Sequence, residues 1–262
     1  MSKEKLALDV ILETSAGLLS LIPGAGLIVG PVKSVVSDYA TRQLSKREEF
    51  RVGEVAQYCI LKIKEKCAAG ESLRDDDFFF DYNENYRSNA EEVFEGVLTK
   101  CKSEHEEKKS KYTSNIFVNV SFNNTSIGDA NHYLKLASSI TFRQMCLINI
   151  FGKNHKNELG IRSSHKHTFT SEQSSIYQEI YDLVQKGVLW KISTKQSVVE
   201  GFISSDMLLN SDDDYDKNVY SWMNVIPGRM ALSGFGRESY ELMGLIEIPN
   251  YELDELIQTL KY

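Results

Sequence analysis

Apolar residues recur along this chain at intervals of three and four, and this spacing constrains its fold most, because it is the period of an α-helix. Between Ser45 and Cys67, charged residues fill the positions between the apolar ones. Gly70 ends this predicted helix. The same spacing predicts a second long helix from Asn89 to about Lys111 and short helices over 112–122 and 129–137. With only four prolines in 262 residues, an all-β fold rich in turns is disfavoured.

An uncharged segment of nineteen residues runs from Thr14 to Val32, with the sequence TSAGLLSLIPGAGLIVGPV. Pro23-Gly24 interrupts a helix, so two short apolar helices hinged near residues 22–26 are predicted. Their small residues allow close backbone approach, either in a buried hairpin that seals a core or subunit interface, or in a membrane. The flanks lack basic and aromatic anchors, which favours the hairpin. The candidate interface residues are Leu18, Leu19, Leu21, Ile22, Gly24, Gly26, Leu27, Ile28, Val29 and Gly30.

The second half of the chain mixes helices with strands. Capping boxes over 141–144 and 170–173 open two helices, and Gly187 closes the second one. A strand is predicted over 188–192 and another over 230–232, and Ser233 caps a helix after it. The phrases DLVQKGVLW and MALSGFGRESYELMGL resemble a winged-helix domain over roughly residues 139–248. This resemblance implies an α+β C-terminal domain, from which a long insertion over 193–226 departs.

The order of these features is similar to that of bacterial proteins of the abortive-infection alpha type. The stretches that carry the similarity are the Gly/Pro-rich apolar segment, EHEEKKSKYTSNIFVNVSF and YLKLASSITFRQMCLINIF, followed by the winged-helix-like end. The resemblance implies a cytoplasmic bacterial protein in phage defence, with no established enzyme chemistry. We therefore predict a mainly α chain with three parts: an apolar hairpin over 1–44, a helical domain over 45–137, and an α+β winged-helix-like domain over 138–262.

The net charge of −7 is unevenly distributed. Residues 135–195 carry nine Lys or Arg against four Asp or Glu, whereas residues 196–262 sum to −8. A DNA reader needs cations for phosphates, but the expected recognition helix over 174–186 has one, alongside Glu179 and Asp182. A protein partner is therefore favoured over DNA, and the basic loop over 153–167 is the best place for an anion. The candidate contacts are Lys153, Lys156, Arg162, Lys166, Tyr177 and Gln178.

No catalytic motif is found in the sequence, whether a P-loop, a nucleophile elbow, a zinc-protease helix or a deaminase signature. The four cysteines form no Cys-x-x-Cys pair, which is typical of free thiols in a reducing cytoplasm. His165 with His167, the aspartates over 212–216, and Glu104 with His105 and Glu107 are more simply interpreted as solvated side chains than as metal or acid–base sites. No cofactor, metal or small-molecule substrate is predicted.

The leading hypothesis is a non-enzymatic bacterial defence or regulatory protein. It would form a homo-oligomer through the N-terminal hairpin and recognise a protein partner through the C-terminal domain, in the cytoplasm. One alternative is a membrane-associated effector that inserts residues 14–36 into a bilayer. The other is a winged-helix regulator that binds nucleic acid through the basic segment 135–195.

Overall fold

The computed structural model describes residues 46–79, 88–153, 159–160, 169–192 and 222–261. Within these ranges the protein is mainly helical, with eight α-helices and one two-stranded sheet, and its helical character is as predicted. The chain divides into two compact units. The first unit comprises Met1–Phe142 and Leu242–Gly244, and the second comprises Arg143–Glu241 and Leu245–Tyr262.

The first unit is a set of packed helices: α1 (Lys46–Ala68), α2 (Asn89–Ser103), α3 (Glu107–Val120) and α4 (Ile127–Ser139). A short 3-10 turn over Asp77–Phe79 precedes α2. Gly70 follows α1 with φ of +90°, the left-handed conformation that ends a helix most easily at glycine. The side chains that build the core share almost complete burial. They include Val55, Cys59, Ile63, Val93, Phe94, Val97, Leu98, Ile116, Phe117 and Leu134.

The structure differs from the prediction of one long helix from Asn89 to about Lys111 followed by a separate helix over 112–122. The chain turns at residues 104–106, and residues 107–120 form the single helix α3. The Glu104 carboxylate accepts the backbone N–H groups of His105 at 2.9 Å and Glu106 at 3.0 Å. A side chain that bonds its own neighbouring backbone competes with a continuing helix.

The second unit contains α5 (Phe142–Gly152), α6 (Ser171–Gln185), β1 (Leu189–Lys191), β2 (Met230–Leu232), α7 (Gly234–Leu242) and α8 (Asp254–Lys261), with Phe142 and Leu242 assigned to the first unit. The strands are antiparallel, and Leu189 lies opposite Leu232. These two leucines are buried, whereas Trp190, opposite Ala231, faces outward. The described residues hold a two-stranded sheet between helices, and the predicted winged helix is not confirmed.

The junctions between α6 and β1 and between β2 and α7 are locked together. Gly187 closes α6 with φ of +73°, as predicted, and its carbonyl accepts the Ser233 hydroxyl at 2.6 Å. The same hydroxyl accepts the Gly236 N–H at 2.9 Å and so caps α7. Ser233 N–H also donates to the Val188 carbonyl at 3.0 Å. The contacts of Ser233 and Gly236 therefore fix the point where the chain leaves the sheet and begins α7.

Candidate functional site

Several predicted site residues lie outside the described residues. These are the ten candidate interface residues of the uncharged segment, from Leu18 to Gly30, together with Lys156, Arg162 and Lys166. His165 and His167 and the aspartates over 212–216 also lie outside them. Among the helices that the structure describes, none has the length and apolarity required to cross a bilayer.

Helix α6 presents a polar surface without positive charge. It begins at a capping box in which Thr170 and Gln173 bond each other's backbone N–H, as predicted. Tyr177, expected to contact a nucleic acid, is instead buried, and its ring packs on Phe169 with centroids 5.1 Å apart. Gln178 is exposed, as a contact residue must be. The exposed residues of α6 are Ser171, Glu172, Ser175, Gln178 and Gln185.

Two cations of the basic segment are engaged inside the second unit. Arg143 donates to both carboxylate oxygens of Glu179, from Nε at 2.9 Å and from Nη2 at 2.7 Å. Lys186 donates to Asp182 at 2.7 Å, and Gln144 bonds the same carboxylate. Partial burial acts to raise the pKa of Asp182, but the hydrogen bonds from Lys186 and Gln144 outweigh burial and hold that pKa below its usual value. These cations therefore neutralise α6 itself, and less of their charge remains for phosphate.

Lys153, the remaining predicted contact, lies just after α5 and not on α6. Its Nζ donates to Asn250 Oδ1 at 3.2 Å. It lines a cleft of about 510 Å³ together with Asp254 and Lys261 of α8. Since the cleft carries both signs of charge, it offers a weaker attraction for an anion than the sequence count of lysines suggests.

Trp190 is the most prominent feature of the sheet surface. Its side chain is 58% exposed, although its neighbour Leu189 is buried. Single exposed apolar side chains are common on protein surfaces, but tryptophan is enriched among the residues that dominate the energetics of interfaces. The strand was predicted, but Trp190 was not singled out. The alternation of apolar and polar residues around it is too short to tell which side of the strand faces the core.

A groove runs between α1 and α3 in the first unit, with a volume of about 670 Å³. The α1–α3 groove is lined by Arg51, Glu54, Val55, Gln57, Tyr58 and Leu61 of α1 and by Glu107, Ser110, Lys111 and Ser114 of α3. Leu61 is 41% exposed. The sequence analysis missed this groove because it exists only once two helices distant in sequence have packed.

Arg51 is held loosely at this groove. Its Nη2 lies 3.3 Å from Glu107 Oε1, and its Nη1 lies 3.5 Å from the Lys102 carbonyl. Its buried Nε has no hydrogen-bond partner among the described residues. Charge-assisted bonds are usually 2.7–2.9 Å long, so these contacts leave much of the guanidinium's capacity unused.

The side chains of Glu104, His105 and Glu106 could supply three metal-ligand atoms within 4.8 Å of one another. The two carboxylates are already engaged, because Glu104 pairs with the buried Lys109 and Glu106 accepts Phe142 N–H at 3.1 Å. Glu107 pairs with Arg51. The cluster is therefore accounted for as the turn between α2 and α3.

The four cysteines are free thiols. Burial is the main cause that raises the pKa of Cys101 to about 12, and it also raises the pKa of Cys59. Thiols with such pKa values are protonated at neutral pH and make poor nucleophiles. These two cysteines therefore act as small apolar residues of the core.

The exposed side of α6, Trp190 and the α1–α3 groove are thus the surfaces that stand out in the described parts of the chain. None of them has the arrangement of a nucleophile, base and oxyanion donors that catalysis requires. The resemblance to abortive-infection alpha proteins stays a prediction. Comparisons of the chain with protein-family models, with curated proteins and with solved structures find no match.

Proposed function

We propose that this chain acts without catalysis, by recognising a protein partner through its second unit. The observation that carries the proposal is the exposed Trp190 ring, on the outward side of the sheet. The resemblance given by the sequence adds the setting, which is bacterial defence or regulation.

Trp190 has the properties of an interface anchor. A tryptophan ring buries about 150–250 Å² when a partner covers it, and tryptophan is enriched among the residues that dominate binding energy. Its position in β1 holds the backbone rigid, because β1 is hydrogen-bonded to β2 and the residue before β1, Val188, is bonded to Ser233 at the start of α7. A rigid anchor loses little conformational entropy on binding.

The charges of α6 support a protein partner over a nucleic acid. The exposed residues of α6 are two serines, two glutamines and one glutamate. Phosphate binding requires cations, and its affinity falls steeply with salt. Hydroxyl and amide side chains suit hydrogen bonding to a protein surface instead.

We test this proposal by placing a photo-crosslinking amino acid at position 190 of the full chain in its native cells. The matched control places it at Tyr251, which is 74% exposed in the same unit. We expect a discrete protein adduct from position 190 that is absent from position 251. Equal adducts from both positions, or none from position 190, would refute the role of Trp190.

The nucleic-acid alternative is tested on the same protein by fluorescence anisotropy with labelled DNA and RNA at low salt. We expect no binding by the wild type. Binding that weakens steeply with salt, and is lost in Lys153→Glu combined with Lys156→Glu, would replace the protein-partner proposal with the regulator hypothesis.

Self-assembly through residues 18–30 stays a separate prediction from the sequence, and the proposal above does not depend on it. Size-exclusion chromatography with light scattering should show an oligomer without detergent, and Gly26→Asp should convert it to a monomer. A monomer in the wild type would contradict self-assembly. Binding of the wild type to liposomes, abolished by Gly26→Asp, would support the membrane-active alternative.

A further inference from the structure

We propose that the α1–α3 groove is the docking site of the chain's own uncharged segment, residues 14–32. The groove has no use in partner recognition through the second unit, so these two proposals can fail independently. Docking within one chain is an alternative to the predicted self-assembly through residues 18–30, because both use the same segment.

The groove offers an apolar surface that water does not favour. Val55 is buried beneath it, and Leu61 at its edge is the one exposed large apolar side chain among the described residues of the first unit. Its volume of about 670 Å³ is in the range of specific binding sites. Recognition of an apolar helix in a groove is a common way to cover such a surface.

The charges around the groove match an uncharged occupant. Two cations, Arg51 and Lys111, and two carboxylates, Glu54 and Glu107, line it, so it has no net charge. A strongly charged ligand would gain little from this balance. Residues 14–32 carry no Asp, Glu, Lys or Arg, and their apolar side chains can cover the exposed Leu61.

The spacing of small residues in α3 also matches that in the sequence of the segment. Ser110 and Ser114 are four residues apart on α3 and present small side chains to the groove. Gly26 and Gly30 have the same spacing in the segment, within the second of its two predicted helical arms. Small residues four apart on two helices allow the backbones to approach closely.

The segment can reach the groove from its own chain. Thirteen residues, 33–45, separate it from the start of α1 at Lys46, and Arg51 lies in the groove a few residues further on. A connection of that length can span about 45 Å when extended, whereas the ten residues from Arg51 to Leu61 rise only about 15 Å. A tethered segment has an effective concentration on the order of millimolar. This favours the chain's own segment over a second copy.

The test is hydrogen–deuterium exchange of the full-length protein, followed on peptides from residues 14–32. We expect these amides to exchange slowly in the wild type and about tenfold faster in Leu61→Arg, as for the loss of a contact of modest strength. Because Leu61 is exposed, this substitution should leave the fold intact. Ile246→Arg, at a 61% exposed position of the second unit, is the matched control and should change nothing.

A second variant separates shape from hydrophobicity. Gly26→Leu keeps the segment apolar but replaces one of its small residues, so it should accelerate exchange both in 14–32 and in α1 peptides around Leu61. Identical exchange of residues 14–32 in the wild type and in Leu61→Arg would overturn the proposal. Protection lost on dilution would identify a second copy as the occupant, and protection seen only with vesicles would identify a membrane. Either result also overturns the proposal that residues 14–32 dock in the groove of their own chain.

Discussion

The carbonyl of Val188 serves two elements of the second unit at once. It accepts the Ser233 N–H at 3.0 Å, and Gly236 of α7 packs directly on it. A Cβ at position 236 would overlap the Val188 oxygen, which is backbone and cannot move aside without breaking the sheet. Glycine is therefore required at position 236 because of the close approach.

Gly236→Ala should lower the free energy of unfolding of the second unit by about 2–4 kcal/mol, the cost of forced overpacking against a fixed group. Urea unfolding followed by fluorescence measures this change. Gly234→Ala is the control, because a Cβ there meets no atom within 4 Å. It should leave stability unchanged or raise it by up to about 1 kcal/mol through helix propensity. Equal effects of the two substitutions would contradict the packing argument.

At the level of elements, the turn between α2 and α3 depends on one buried ion pair. Lys109 is 3% exposed, and it pairs with Glu104, whose side chain is 11% exposed. Burial acts to raise the pKa of Glu104, but the hydrogen bond from Lys109 and those from backbone N–H groups overcome burial and hold that pKa below its usual value. The turn is thus stabilised only while Glu104 is ionised.

Glu104→Gln should destabilise the first unit by about 1–3 kcal/mol at pH 7, because it leaves Lys109 buried without its counter-charge. The unfolded carboxyl titrates near pH 4.3, and the folded one titrates lower, so the stabilisation is complete above about pH 4.3 and is lost as pH falls through the folded pKa. Unfolding free energies measured from pH 7 to pH 3 should therefore converge for the wild type and the variant at the acid end. Parallel curves would show that Glu104 acts through shape alone.

Helices whose ends are set by residues close to them in the sequence could be predicted from the sequence. The period of three and four located α1, and the Thr170 capping box and Gly187 marked the two ends of α6. The break between α2 and α3 could not be predicted, because EHEEKK suits a helix and its turn depends on burial of Lys109. Tyr177 was misplaced because it sits beside Ile176 on the edge of the apolar face of α6.

The candidate surfaces were harder to predict than the helices. The α1–α3 groove is lined by residues such as Leu61 and Ser110, which lie tens of residues apart in the sequence. The count of cations over 135–195 is correct, but it could not show that Arg143 and Lys186 are bound by acids of the same unit. Composition therefore overstated the charge available to a partner.

For the whole molecule, each unit has its own apolar core, with Phe94 and Phe117 in the first and Ile180 and Met230 in the second. Both tryptophans, Trp190 and Trp222, belong to the second unit. Tryptophan fluorescence therefore reports on the second unit, whereas circular dichroism reports on the helices of both.

Phe94→Ala should remove about 3–5 kcal/mol from the first unit, since this ring is 1% exposed and packs on Phe117 with centroids 4.8 Å apart. In urea, the dichroism transition should then begin at a lower concentration than the fluorescence transition, because chains with two cores depart from two-state unfolding. If both probes shift together by the same amount, the two units unfold as one cooperative structure.

The chain leaves the sheet at Ile192 and returns to it at Arg229, and the Ile192 N–H donates to the Arg229 carbonyl at 2.7 Å. The two ends of a long connection are therefore held side by side by the strands themselves. Doubling the length of a flexible loop between two fixed ends costs only about 0.6 kcal/mol of closure entropy. This gives protein engineers a place to insert a tag, a fluorescent domain or a sensor module while the register of β1 and β2 is kept.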